Sequence, residues 1–161
     1  METMCFVSVD AVVDPSVKMH PFCQICKGAS IGRETRLGHN VFVGANVKIG
    51  KRCCIQGNVF IPEGLSIHDG VFIGPGTTFC NVKYPPRKRD KKGKREPFAT
   101  TVVCENAIIG ANATILPGIT IFPEVTIGAG AVVTRDCVAG LVYAGNPARP
   151  LTTTFFSRRR Q

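Results

Sequence analysis

Counting in sixes from Val7 gives an unbroken apolar column: Val7, Val13, Met19, Ile25, Ile31, Leu37, Val43, Ile49, Ile55, Ile61, Ile67, Ile73 and Phe79. After an interruption the same register resumes with Val103, Ile109, Ile115, Ile121, Ile127 and Val133. A period of six is not helical, because the apolar stripe of an α-helix recurs every 3.6 residues. It fits short strands separated by tight turns. Three strands per coil make a triangular rung of 18 residues, and stacked rungs pair through their backbones at about 4.8 Å. The pattern predicts roughly six rungs, a prism about 30 Å tall, with the aliphatic column filling its axis.

The other columns agree. The residue after the aliphatic one is often glycine, as at Gly32, Gly38, Gly44, Gly50, Gly74, Gly110 and Gly128. Three positions after it come Gly28, Asn40, Asn46, Asn58, Gly64, Gly70, Gly76, Asn106, Asn112, Gly118 and Gly130. Gly and Asn reach positive φ most cheaply, so this column is where the chain bends. Residues 80–102 break the period, with Pro85, Lys91 and Pro97 in the aliphatic frame. None of these can sit on an apolar axis, so the segment is expected to be a loop extruded from one corner. Long loops in compact domains commonly carry function.

Composition and charge narrow the picture. The chain has 161 residues, 44% of them apolar, with 17 Gly, 11 Pro and no Trp. That suits one turn-rich β domain, assigned to residues 1–151, followed by a basic tail at 152–161. Of the net charge of +9, residues 83–96 supply +6 and Arg158, Arg159 and Arg160 supply +3. The body is therefore neutral and the charge is local. No signal peptide and no apolar run of about 18 residues is found, so neither secretion nor a membrane span is expected. The eight cysteines read as reduced thiols of a cytoplasmic protein. Cys23 and Cys26 have zinc-ligand spacing but no second pair, and no metal site is expected there. His20, His39 and His68 are spaced by 19 and 29, so no two stack 18 apart in one column. A three-histidine zinc site of the γ-carbonic anhydrase kind is excluded. The basic loop has Tyr84 at its edge and no other aromatic, so nucleic-acid stacking is poorly served.

Residues 18 apart share a corner on successive rungs. Glu63 and Asn81 form such a pair at the base of the loop, and a carboxylate stacked on an amide suits holding an amine. Ala45 stands one rung below, so that column offers no histidine base. His39 shares the hexad column at a different corner, from which it could reach a neighbouring chain's site, whereas His20 and His68 read as structural. Gly110, Ala111, Gly128 and Ala129 form stacked small turns, a smooth strip that a slender ligand could approach closely. Phe42, Phe60 and Phe72 point outward, and a second subunit could cover them.

The recurring aliphatic–Gly pattern resembles the hexapeptide-repeat acyltransferases, whose parallel β-helix is left-handed. The stretch from Gly57-Asn58-Val59 through Asp69-Gly70-Val71-Phe72-Ile73-Gly74-Pro75, Phe79-Cys80-Asn81 and Tyr84-Pro85 to Ile109-Gly110-Ala111-Asn112-Ala113 is similar to one branch. That branch comprises the N-acetyltransferases of nucleotide-linked 3-amino sugars. The closing segment Tyr143-Ala144-Gly145-Asn146-Pro147-Ala148-Arg149-Pro150 is similar to the superfamily's Gly-Asn-Pro-Ala-[Arg/Lys] motif. Cys80 stands where the branch usually has Thr.

The resemblance implies an acetyl-CoA-dependent enzyme, trimeric, with no metal cofactor. It implies Asn81 and Glu63 at the sugar amine, and Asn58, His39, Tyr84 and Arg87 toward the sugar nucleotide. Gly110, Ala111, Gly128, Ala129, Asn146 and Pro147 would line the CoA site, with Arg135 and Arg149 near its nucleotide end, where guanidinium groups suit phosphate. UDP or dTDP would be the nucleotide. A 4-amino sugar or a hydroxyl acceptor is the alternative within acetyltransferases; a trimeric scaffold whose basic loop binds nucleic acid is the non-enzymatic one.

Overall fold

The computed structural model describes residues 4–83 and 98–151. Among these, every regular element is a strand, mostly of two residues, beginning with Phe6–Val7, Val12–Val13 and Lys18–Met19. The strands join three sheets in rotation, of seven, six and eight strands. Neighbours in each sheet are parallel and in register 18 residues apart, as with Phe42 on Phe60 and Cys54 on Phe72. Across the interruption the offset doubles to 36, so Leu65 faces Thr101 and Ile73 faces Ile109. The insertion is thus three whole hexads long, which is why the aliphatic frame survives it. The coil is re-entered at the strand Thr101–Val103, which takes in the last two residues of the expected loop. One antiparallel pair, Val142–Ala144 with Arg149–Pro150, closes the top of the third sheet. The six-residue period in this fold is that of a left-handed parallel β-helix.

The axis is the predicted one. From Ile25 to Val133 every residue of the aliphatic column is buried, joined by Ala29, Val41, Val59, Ala107, Ala113 and Ala131 from two positions before it. Val7, Val13 and Met19 are only partly covered, because no rung lies beneath them. Burial of this column is the main stabilising term. The buried hydroxyls of Thr35, Thr77 and Thr101 are each hydrogen-bonded, and no buried side-chain polar atom among the described residues lacks a partner.

Two glycine columns serve different needs. Gly74 has an ordinary φ, but a Cβ there would lie 2.5 Å from the Ala111 nitrogen of the next rung. The turn column instead holds positive φ, from 54° at Asn40 to 96° at Gly64. Phe22, Glu34, Arg52 and Glu124 share that conformation, having been forced into it by register despite their side chains.

Candidate functional site

The strand Phe60–Ile61 leads into a turn at Glu63, and the strand Thr78–Phe79 one rung above leads to Asn81. The in-register pairing of those strands brings the two residues to one corner. Asn81 Nδ2 donates to the Glu63 backbone carbonyl at 3.2 Å. The Glu63 carboxylate is held by a residue that the sequence pattern does not single out: Asn46 Nδ2, from the turn below, donates to Oε1 at 3.2 Å. The two side chains therefore stand side by side without bonding each other. With Nδ2 committed to the carbonyl, Asn81 presents Oδ1, which has no hydrogen-bond partner among the described residues. Both residues are half-buried. Ala45 occupies the position beneath, between Gly44 and Asn46.

The insertion leaves and re-enters at this corner. It departs through Asn81, and its returning arm passes Gly64, where an added Cβ would lie 3.1 Å from Phe98 Cβ. Thr101 anchors the return. Its N–H donates to the Gly64 carbonyl at 2.9 Å, and its buried hydroxyl accepts from Gly118 N–H at 2.9 Å. Glu63 and Asn81 are thus framed by both ends of the segment that carries the basic run. Thr101 is likewise not marked out by the sequence, where it falls inside the expected loop. Tyr84 and Arg87 lie outside the described residues.

A different corner holds the remaining candidates. His39 is exposed and its ring packs over the Gly57 backbone, where a Cβ would come within 2.5 Å of Cε1. His39 Nε2 is 3.4 Å from Asn58 Nδ2, and Asn58 Oδ1 accepts from Asn40 Nδ2 at 3.0 Å. Above them on the same corner stand Ala111 and Ala129. Gly110 is required by rung packing, since a Cβ would meet the Ala129 nitrogen at 2.5 Å. At the top, Ala148 is buried and its N–H donates to the Val132 carbonyl, while Asn146 and Pro147 are exposed on the turn that follows Tyr143. The exposed Arg149 turns its Nη1 onto the Ala148 carbonyl at 3.0 Å. Arg135, also exposed, is not at this corner. It stands in the Glu63–Asn81 column, two rungs above Asn81, beside Asp136, which caps the Thr120 N–H at 2.8 Å. Within one chain the amine-side pair and the small-residue strip therefore lie on separate corners.

The thiols are spread along the coil and all are free. Burial pushes Cys23 and Cys53 up, and pushes Cys137 up to about 11. These are packed core residues, poor nucleophiles at neutral pH. Among the described residues no helix is long and apolar enough to cross a membrane.

Comparison with known proteins bears on the architecture. Residues 28–63 and 100–135 match the family described as bacterial transferase hexapeptide (six repeats), the gap between them coinciding with the insertion and its flanks. A 2,3,4,5-tetrahydropyridine-2,6-dicarboxylate N-acetyltransferase of Staphylococcus carnosus is 42% identical over 84 residues, covering 52% of this chain and 31% of that protein. Its counterpart from Staphylococcus aureus is 33% identical over 79 residues, covering 49% and 29%. The chain thus spans about a third of the length of these curated relatives. Among solved structures, the acetyltransferase domain of PglB from Neisseria gonorrhoeae superposes with a TM-score of 0.55 at 22% identity, covering 91% of this chain and 57% of that one. A Bacillus cereus protein classed with acetyltransferases gives 0.69 at 19%, covering 88% and 76%. Period, turn columns, three parallel sheets and matched repeats describe one architecture, and the chain is a hexapeptide-repeat, left-handed parallel β-helix.

Proposed function

We propose that the chain transfers acetyl from acetyl-CoA to the amino group of a nucleotide-linked amino-deoxy sugar, with the 3-amino position as its target. The observation that carries this reading is the Glu63–Asn81 column framed by the two ends of a basic insertion. The Asn81 Oδ1 and the Glu63 carboxylate are both acceptors, and an amine offers the N–H groups they need. Holding it by two points aims its lone pair at the thioester carbonyl, which is the positioning term in catalysis. Attack forms the C–N bond and a tetrahedral oxyanion, which a backbone N–H stabilises. Collapse breaks the C–S bond and releases CoA thiolate. The proton lost by nitrogen passes to that thiolate or to water, since Ala45 provides no base in the column.

Two further features support the reading. Substrates of this class carry a diphosphate, and the insertion carries a net charge of +6 across residues 83–96. The two curated relatives named above are N-acetyltransferases, which favours an amine acceptor over a hydroxyl. The separation of the amine-side corner from the Ala111–Ala129 corner suits a homotrimer, in which one chain's Glu63 and Asn81 face the neighbour's small-residue strip. His39 would then approach the shared site from that neighbour. The Phe42–Phe60 stack, with ring centroids 5.0 Å apart on the outer surface, is apolar area that such a neighbour covers.

The test is turnover of Asn81→Ala and Glu63→Ala at saturating acetyl-CoA and sugar nucleotide, with CoA quantified by chromatography because the protein's own thiols react with colorimetric reagents. Loss of positioning predicts a drop in kcat on the order of 10²-fold for each. Wild-type rates in both variants would remove this corner from the reaction.

A further inference from the structure

A second cluster of chemically capable side chains lies on a third corner, away from Glu63 and Asn81. The turn after the strand Leu65–Ile67 begins with His68-Asp69, and the turn after the strand Thr101–Val103 begins with Cys104-Glu105. Those strands pair directly, Ile67 against Val103, so His68 lies under Cys104 and Asp69 under Glu105. On the two rungs beneath, the position of His68 is filled by Gly32 and Gly50. On this corner, among the described residues, only these adjacent rungs carry donor side chains at both levels. Imidazole, thiol and carboxylate converge, with one ligand atom from each of His68, Cys104 and Glu105 within 4.8 Å of the others. His68 Nδ1 and Glu105 Oε1 already share a hydrogen bond at 2.8 Å. His68 is half-buried, Cys104 is nearly covered and Glu105 is exposed, so a solute reaches the cluster from one side.

We propose that His68, Cys104 and Glu105 form a binding site for a divalent transition-metal ion of borderline softness, Zn2+ being the best fit. The donor set is the mixed N, S and O set that zinc accepts, at bond lengths of about 2.0–2.3 Å. Tetrahedral ligation at those lengths needs donor–donor separations of about 3.5 Å, so the 2.8 Å His68–Glu105 pair opens slightly while the wider separations, all within 4.8 Å, close. Binding releases the thiol proton to water, and His68 exchanges its Nδ1 proton through solvent for one on Nε2, so that the imidazole ligates neutral. Thiolate and carboxylate together then neutralise the 2+ charge. Water or an incoming group completes the fourth position. Asp69 is committed elsewhere through Oδ1, which accepts from the Lys51 N–H at 2.8 Å.

The position gives the ion a structural role. His68 and Cys104 are adjacent in space but 36 residues apart in the chain, with the insertion between them. An ion bound by both cross-links the rung before the insertion to the rung after it. Closing a loop of that length removes freedom from the unfolded chain and stabilises the register at which the coil resumes. Acyl transfer at Glu63 and Asn81 makes no use of the ion, so this site stands independently of the proposed reaction.

The test uses full-length, metal-stripped protein under reducing conditions, titrated with Co2+ and then Zn2+. One equivalent of Co2+ per chain is expected to give a thiolate-to-cobalt charge-transfer band with intense d–d bands of tetrahedral ligation, erased by one equivalent of Zn2+. Cys104→Ser should abolish the charge-transfer band. His68→Gln and Glu105→Gln should each weaken binding at least about tenfold, in line with loss of a ligand or its partner. Cys26→Ser, on another corner, should leave the spectrum unchanged. Zn2+ should raise the Tm of the wild type and leave that of His68→Gln unmoved. That second readout decides the matter even if Cys104→Ser folds poorly. A wild-type spectrum without the band, or a band that persists in folded Cys104→Ser, overturns the site. CoA release in the presence of chelator reports on the acetyltransferase reading separately.

Discussion

Replacing Gly74 by alanine tests why the coil stacks as it does. The new Cβ would lie 2.5 Å from the Ala111 nitrogen, 2.8 Å from the Gly110 carbonyl carbon and 2.9 Å from Ala111 Cα, where ordinary contact begins at 3.4 Å. All three neighbours are backbone atoms, so no rotamer change relieves the clash. The turn must open by roughly 1 Å, against a ladder in which Gly74 N–H donates to the Ile109 carbonyl at 2.7 Å and Gly110 N–H to that of Ile127 at 2.8 Å. Overpacking costs about 1–3 kcal/mol, and weakening one rung hydrogen bond adds about 1 kcal/mol, so Gly74→Ala should cost about 3 kcal/mol. Gly130→Ala is the control. There φ is +68° and no atom lies within 4 Å of the added Cβ. Its cost is conformational only, about 1–2 kcal/mol, and Gly130→Asn should recover most of it, since Asn112 holds the same conformation one rung below. Urea denaturation followed by circular dichroism at fixed protein concentration ranks the three variants. Gly74→Ala within about 0.5 kcal/mol of the wild type, or less destabilised than Gly130→Ala, would refute the packing account.

Other consequences follow from the same geometry. Ile115→Ala, in the fully buried axis just above the insertion, should cost about 2–5 kcal/mol in the same denaturation assay. Phe60→Lys, on the outer stack with Phe42, should shift a trimer toward monomer in light scattering at micromolar concentration; a wild type that is itself monomeric contradicts the shared-site arrangement. Burial, with the Asp136 carboxylate adding to it, holds the Cys137 thiol at about 11 against 9.0 when unfolded. The folded state therefore holds that proton more tightly, and the stability this contributes is intact below pH 9.0 and lost as pH rises toward about 11. Cys137→Ala should flatten the fall in stability measured by denaturation across that window, and in the native wild type Cys137 should resist alkylation at neutral pH.

The fold was legible because a repeat states its rule many times. Each aliphatic from Ile25 to Val133 restates which side faces the axis, and Asn40, Asn46, Asn58, Asn106 and Asn112 restate where the chain turns. Glu34, Arg52 and Glu124 turn in the same way with no such residue, because the register of their neighbours overrides local preference. The site was legible only where it obeys the 18-residue count, as Glu63 and Asn81 do. Asn46 looks like a turn residue, and nothing local shows that its amide reaches the Glu63 carboxylate. Thr101 looks like loop, and its role depends on Gly64 and Gly118, each far away in the chain. His68 and Glu105 meet across the insertion, where the count of 18 fails and only the resumed register of 36 brings them together.

The central claim is acetyl transfer to a nucleotide-linked amino sugar, and it is tested most directly by incubating the protein with acetyl-CoA and a panel of acceptors, with CoA and acetylated product quantified together. The panel comprises dTDP- and UDP-linked 3-amino and 4-amino sugars, their hydroxyl counterparts, and tetrahydropyridine-2,6-dicarboxylate. Equimolar CoA and N-acetyl product are expected with a 3-amino sugar nucleotide, and much less with the 4-amino and hydroxyl acceptors. No CoA release above hydrolysis with any sugar nucleotide, or turnover confined to the dicarboxylate, would contradict it.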